Sequence, residues 1–284
     1  MKLKIILIFT IFSIAVLSCN NKEVMTEPKI IDLSSFGSVN MIKEIAGDIY
    51  VLNSTASSIH KLNADSLSLF RDLEIGGRDF LLDFDIEGNK VYYSNTYDQI
   101  FISSGNTIED TIKVFNPDRI AVMDSLLYVT SRKAEDENVL LKLYDIKSKK
   151  EISCIPLNDS PVAEMKFAQA SICESGNNLW VMNPFRNRLE KYNSDLGIVS
   201  ILELPQGYEF GNFSAVENEL TILAVIDRKI FTIRIYEDKN SDSSIIFELP
   251  NDNIDISSSC ILQDYVFLYN YIDSKILTKS FKTL

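Results

Sequence analysis

Leu179 to Asn193, LWVMNPFRNRLEKYN, reads as two short strands around a loop: an apolar run ending in Asn183, a polar turn over residues 184–187, then Arg188 to Asn193. A turn precedes the first strand in the form of Ser175-Gly176-Asn177-Asn178, where glycine beside asparagine supplies the positive φ that tight hairpins need. The same unit recurs along the chain. Its first strand returns at Ile49 to Asn53 (IYVLN), Val91 to Asn95 (VYYSN), Leu126 to Ser131 (LLYVTS), Leu220 to Val225 (LTILAV) and Tyr265 to Asn270 (YVFLYN). Taking Tyr50, Tyr92, Tyr128, Trp180, Ile222 and Phe267 as equivalent gives a mean spacing of about 43 residues, the period of a four-stranded propeller blade.

A four-stranded sheet of this size has two faces to cover, and stacking around a ring covers both. The reading is therefore an all-β, six-bladed β-propeller of four-stranded antiparallel blades over residues 29–284. Only Lys282 to Leu284 follow the last strand pair, whereas Lys29 to Leu33 (KIIDL) is an apolar strand with no blade of its own. That N-terminal strand is expected to pair with residues 275–284 in the last blade. Competing readings are a pair of β-sandwiches and a seventh blade within the 52-residue gap between Tyr128 and Trp180.

Upstream, Lys2 and Lys4 precede an apolar run from Ile5 to Leu17, too short for a comfortable membrane span and suited to a signal peptide. Val16-Leu17-Ser18-Cys19 resembles the lipobox of bacterial lipoproteins. The resemblance implies cleavage before Cys19, acylation of that cysteine, and attachment to a membrane through its lipid. Residues 1–18 are then the signal, 19–28 a polar tether and 29–284 the folded domain. The location implied is the bacterial cell envelope, at the outer membrane.

The chain carries a formal charge of −12, and loss of Lys2 and Lys4 makes it −14; such a surface repels nucleic acid. Cys154, Cys173 and Cys260 are spaced like neither a metal knuckle nor a redox pair, and Cys154 and Cys260 read as small buried hydrophobes. The one histidine, His60, precludes an all-histidine metal site and reads as structural or exposed. Phosphate-binding glycine loops, a GxSxG elbow and calcium loops are missing. No cofactor, no metal and no catalytic residue is assigned. Asp83 and Asp85 share one side of a strand by their two-residue spacing, where a cation site or an acid–base pair competes with a solvated face.

IYVLNSTASSIHKLN (Ile49 to Asn63) and LWVMNPFRNRLEKYN resemble the six-bladed propeller lipoproteins of Bacteroides-like bacteria, related in shape to NHL and TolB-type propellers. The resemblance implies a binding scaffold and transfers no catalytic residue. In such a ring, function is expected where the loops leading into each blade meet the loops between its second and third strands. The candidate ligand-binding residues there are Arg78, Asp79, Asp118, Arg119, Arg186 and Arg228, with interblade salt bridges as the competing reading. The leading function is a non-catalytic, membrane-tethered module for a protein, peptide or glycan partner. The alternative is a hydrolase or lyase acting on glycans or cell-wall-derived material.

Overall fold

The computed structural model describes residues 29–63, 66–73, 81–133, 138–159, 170–204, 206, 209–216, 219–226, 229–236, 242–248, 256–262 and 265–280. Within them, alternating apolar runs form twenty-four strands in six four-stranded antiparallel sheets. The first blade is β2 (Val39–Ile45), β3 (Asp48–Asn53), β4 (Ser58–Asn63) and β5 (Ser66–Asp72), in that order from inside outward. The second is β6 (Leu81–Glu87), β7 (Lys90–Asn95), β8 (Gln99–Ser104) and β9 (Thr107–Lys113), and the third β10 (Pro117–Met123), β11 (Leu126–Lys133), β12 (Asn138–Asp145) and β13 (Lys150–Pro156). β14 (Ser171–Ser175), β15 (Asn178–Asn183), β16 (Arg188–Tyr192) and β17 (Ile198–Glu203) make the fourth. The fifth contains β18 (Glu209–Val216), β19 (Glu219–Ile226), β20 (Lys229–Tyr236) and β21 (Asp242–Glu248).

The last sheet joins the two ends of the chain. β22 (Ile256–Leu262), β23 (Tyr265–Asn270) and β24 (Lys275–Ser280) are followed outward by β1 (Lys29–Asp32), whose Ile31 lies opposite Ile276. Leu33 falls just beyond the strand, donates its N–H to the Ser274 carbonyl at 2.8 Å, and is buried. β2, β6, β10, β14, β18 and β22 stand innermost, each beside the next, around a central channel.

Second strands bury both faces, which is why their sequences are apolar without alternation. Tyr93 packs back against the first blade with Leu52 and Phe84, while its neighbour Tyr92 packs forward against Ile120 and Val129 of the third. Tyr128 and Trp180 likewise face forward, into the third–fourth and fourth–fifth cores. Ile222 faces backward, into the same core as Trp180. The fifth copy is therefore shifted by one: Thr221, opposite Ser214, occupies the place that Tyr50 holds opposite Lys43. In a strand buried on both faces, polarity does not reveal which residue points which way.

Two other expectations need correction. Asp83 and Asp85 are not on a solvated face; they are 2% and 3% exposed. Cys154 is exposed, because β13 is an outermost strand, whereas Cys260 is buried in the core between the last and first blades. All three described cysteines are free thiols.

Candidate functional site

The innermost strands put one side chain each at matching heights along the channel. At one level stand Met41, Asp83, Arg119, Ser171 and Asn212, and they knit the ring together. The Arg119 guanidinium lies 3.6 Å from Met41 Sδ, the Ser171 hydroxyl donates to Asn212 Oδ1 at 3.3 Å, and the Asn212 amide donates to the Ser259 carbonyl. Ser258 Oγ accepts the Ile42 N–H at 2.8 Å, linking the last blade to the first.

The second and third blades are joined by carboxylates. Asp83 Oδ2 accepts the Ile120 N–H at 2.9 Å, Asp85 Oδ2 accepts the Val122 N–H at 2.7 Å, and Glu87 Oε1 accepts the Ser125 N–H at 3.4 Å. The other oxygens of Asp83 and Asp85 take the N–H groups of Phe84 and Ile86, each at 2.9 Å. Lys43 completes the arrangement by donating to the Phe84 and Ile120 carbonyls at 2.9 and 2.8 Å, with Asp83 Oδ2 at 3.6 Å. Burial pushes the Lys43 ammonium down, but Asp83 and Asp85 more than reverse this and leave it raised. Burial is also the main reason the Asp85 carboxyl sits above its usual range, against the opposing pull of Lys43 and two backbone donors. Two-residue spacing, which in sequence could indicate a cation or an acid–base pair, here matches the two-residue repeat of the neighbouring strand's N–H groups.

Beside this polar level lies a cavity of about 670 Å³, a volume suited to a small molecule. Its wall is small-sided on four blades, at Ala121, Cys173, Ser214 and Cys260, and charged on the other two, at Lys43 and Asp85. It extends to the hairpins between first and second strands: Ala46, Gly88, Asp124 and Gly176 all line it. Two of these hairpins, Ala46-Gly47 and Asp124-Ser125, place both central residues at positive φ, the type I′ geometry that matches strand twist. Glu44, Glu87, Asp124 and Glu174 lie at this end. Burial by the surrounding walls and the nearby Asp85 push Glu174 up to about 7, with Glu87 and Glu44 adding to the rise and Lys43 opposing it. Burial alone dominates at Cys173, whose thiol is raised to about 12 and is a poor nucleophile at neutral pH.

Of the residues expected to form a site, the three that are described, Asp118, Arg119 and Arg186, do not line one cavity together. Arg119 lines the cavity, but neighbouring Asp118 lies outside its lining and is held above the usual carboxylate range by burial. Arg186 is committed elsewhere: it pairs with Asp159 at 2.6 Å and with Glu190 at 3.2 Å, tying the loop that leaves the third blade to the fourth. Arg78, Asp79, Arg228 and Cys19 lie outside the described residues. The cavity also opens toward the hairpins between first and second strands, the end opposite to that expected. Lys43, Glu174 and Ser259 were missed. A lysine inside the apolar strand MIKEI was the available signal, since such a charge must find partners when the strand is innermost.

No family model matches the chain, and no curated protein matches it. Among solved structures, a putative exported protein from Bacteroides fragilis is similar at 12% identity over 91% of this chain and 95% of that one, with a TM-score of 0.60. What is shared is the propeller fold. The computationally designed Ika8 protein is similar at 9% identity, covering 86% and 71%, with a TM-score of 0.50, and BamB from Moraxella catarrhalis at 10%, covering 86% and 70%, with a TM-score of 0.48. At these identities likeness carries the fold alone, so the resemblance to NHL and TolB-type lipoproteins is corrected: it does not amount to membership of that family. The repeated Asn-ended strand behind it is a consequence of blade geometry, which unrelated propellers can reach independently.

Proposed function

We propose that the protein is a non-catalytic binding module of the bacterial cell envelope, tethered through lipid on Cys19, that receives its ligand in the channel cavity. The observation that carries this reading is the division of labour among the channel's charged groups. Asp83, Asp85 and Lys43 are consumed in holding blades together, while an adjoining cavity of about 670 Å³ remains open. An enzyme acting on glycans would need a carboxylate pair free to exchange protons with substrate; Asp83 and Asp85, the pair singled out by sequence, instead take a backbone N–H on each of their four oxygens. The leader sequence ending at Cys19 supports the envelope location, and the B. fragilis protein of similar fold is itself described as exported.

The test is a binding screen of the chain from Asn20 onward against glycans, peptides and amines, beside two variants. Ser214→Phe fills the cavity; Tyr97→Ala removes an exposed aromatic from the loop between β7 and β8, at the other end of the ring. A ligand lost on Ser214→Phe and kept on Tyr97→Ala supports the reading. The reverse pattern, or turnover of a bound glycan, overturns it.

A further inference from the structure

We infer that the outer edge of the fourth blade is a docking site for an extended segment of another protein, a short apolar run bracketed by lysine or arginine. The site is separate from the channel cavity and goes beyond the reading given above.

Among the described residues, β17 (Ile198–Glu203) is the outermost strand of its sheet and pairs with β16 alone. Its other edge presents unpaired N–H and C=O groups, the template on which a further strand forms. Ile198, Val199 and Ile201 are 50%, 56% and 41% exposed. Among the described side chains no other strand exposes more than one large apolar residue: β5 exposes Leu69, β13 Ile152 and β1 Ile30. Leu202 packs against the core between the fourth and fifth blades, so the strand is seated before anything is added to it. The register shift falls at Val199 and leaves Ser200 to Glu203 as an unbroken ladder against β16. Such a length is enough in this molecule. β1 is itself a four-residue strand from the far end of the chain, and it completes the last blade by pairing antiparallel along β24, with Asp32 opposite Lys275.

Charge selects the occupant. No ionisable side chain lies between Asp195 and Glu203; both acids are exposed, and neither makes an ion pair with a described residue. Arg188, which lies opposite Glu203 in the ladder, donates instead to Glu190 at 2.7 Å. Two acids thus bracket the apolar run, on a chain whose net charge is −12. Basic flanks on an arriving strand would sit against both acids, and the acidic surface draws them in before contact. A second copy of this chain fits worse. Antiparallel pairing of two β17 strands about Ser200 would set each Glu203 diagonally beside Asp195 of the other copy, and like charges across a strand pair are destabilising.

The experiment measures fluorescence anisotropy of a labelled synthetic peptide, Lys-Lys-Val-Thr-Val-Thr-Val-Lys-Lys, titrated with the chain from Asn20 onward. A second peptide carries glutamate at every lysine position. The lysine peptide is expected to bind, and the glutamate peptide to bind more weakly by about ten-fold or more. Ile201→Lys, and independently Val199→Lys, should weaken binding of the lysine peptide by about ten-fold or more, because a charge then stands within the edge and repels the ligand. Leu69→Lys makes the same change at an exposed position of β5 and should leave binding unchanged. Combining Asp195→Asn with Glu203→Gln should weaken binding and flatten its dependence on salt. No binding of the lysine peptide, equal binding of the two peptides, or equal loss in Leu69→Lys overturns the inference. Binding that is lost on Ser214→Phe and kept in both β17 lysine variants also overturns it, while leaving the cavity reading intact. A concentration-dependent dimer that Ile201→Lys dissociates would assign the edge to a second copy and overturn it as well.

Discussion

Four blades end their second strand in a buried asparagine and two do not, and the difference explains what the repeated sequence unit is for. In the first, second, fourth and last blades, Asn53, Asn95, Asn183 and Asn270 each turn Oδ1 toward their own loop, accepting the N–H of Ala56, Tyr97, Phe185 and Ile272 at 2.9 to 3.3 Å. Each loop then ends on a residue at positive φ: Ser57, Asp98, Asn187 and Ser274. The carbonyls of those residues accept the N–H of Leu73, Val114, Leu204 and Leu33, the buried residue that follows each outermost strand. Asn53 and Asn183 also donate to the chain arriving from the preceding blade, at the Phe36 and Leu157 carbonyls. One small amide thus fixes a loop and a seam together.

In the third blade the matching position is Ser131, whose buried hydroxyl has no partner among the described residues, and in the fifth it is Ala224. There the second strands are longer, reaching Lys133 and Ile226, and the connection to the third strand is carried by an extended ribbon of backbone hydrogen bonds. The lesson is that the sequence signature most easily mistaken for a binding motif is an Asx turn that closes a blade.

Substitution at Asn183 should break this contrast most severely. Asn183→Ala strips a hydrogen bond from the Leu157 carbonyl, the Phe185 N–H and the Glu190 carboxylate, and should cost about 2–4 kcal/mol in urea unfolding. Ser131→Ala, its counterpart in the third blade, should change stability by less than about 0.5 kcal/mol. Equal costs at the two sites would show that the asparagine is not the device described. Gly37→Ala should come next, at about 1–3 kcal/mol, because Gly37 sits at φ +101° and an added Cβ would lie 3.2 Å from the Asn53 amide. At the smaller end, Ser57→Gly should stabilise by about 0.5–1 kcal/mol by relieving its left-handed backbone, provided the turn keeps its bonds.

Acid titration sharpens the same comparison. Burial tends to raise the Glu190 carboxyl, but hydrogen bonds from Asn183, Tyr192, Arg188 and Arg186 reverse that and hold it below its usual range. Its contribution to stability is therefore present above the unfolded carboxylate range and lost as pH falls through its lower folded value. Asn183→Ala should shrink that acid-dependent loss. Glu174 has the opposite sign: its raised carboxyl makes folded stability decline as pH climbs from about 4.5 toward about 7. His60 works against it in part of that window, since burial lowers the imidazole and favours the fold as pH rises toward 6.5. The difference between wild type and Glu174→Gln isolates the carboxyl, and thermal midpoints across pH 5 to 7.5 should diverge in that direction.

Much of the fold was legible because blades repeat. Gly-Asp and Gly-Asn turns, strand-ending asparagines and a period of about 43 residues all report local geometry that recurs in register. The fifth copy was misaligned by one residue because both faces of β19 are buried and its polarity carries no direction. The candidate site was far less legible. Arg186 looked available because nothing in its loop announces Asp159, which arrives from the preceding blade. Asp83 and Asp85 looked like surface or chemistry because their partners are backbone N–H groups, which sequence does not distinguish. Glu174 and Ser259 meet at the cavity only through ring closure, at a distance in sequence that no short motif spans.

The central claim is that ligand enters among the hairpins between first and second strands and not among the loops that carry the asparagines. Hydrogen–deuterium exchange with and without a saturating ligand taken from the binding screen tests it most directly. Exchange should slow at residues 45–48, 86–89 and 174–178, and stay unchanged at 54–57, 96–98, 184–187 and 271–274. Protection confined to the second group would contradict the account and move the site to the opposite end of the ring.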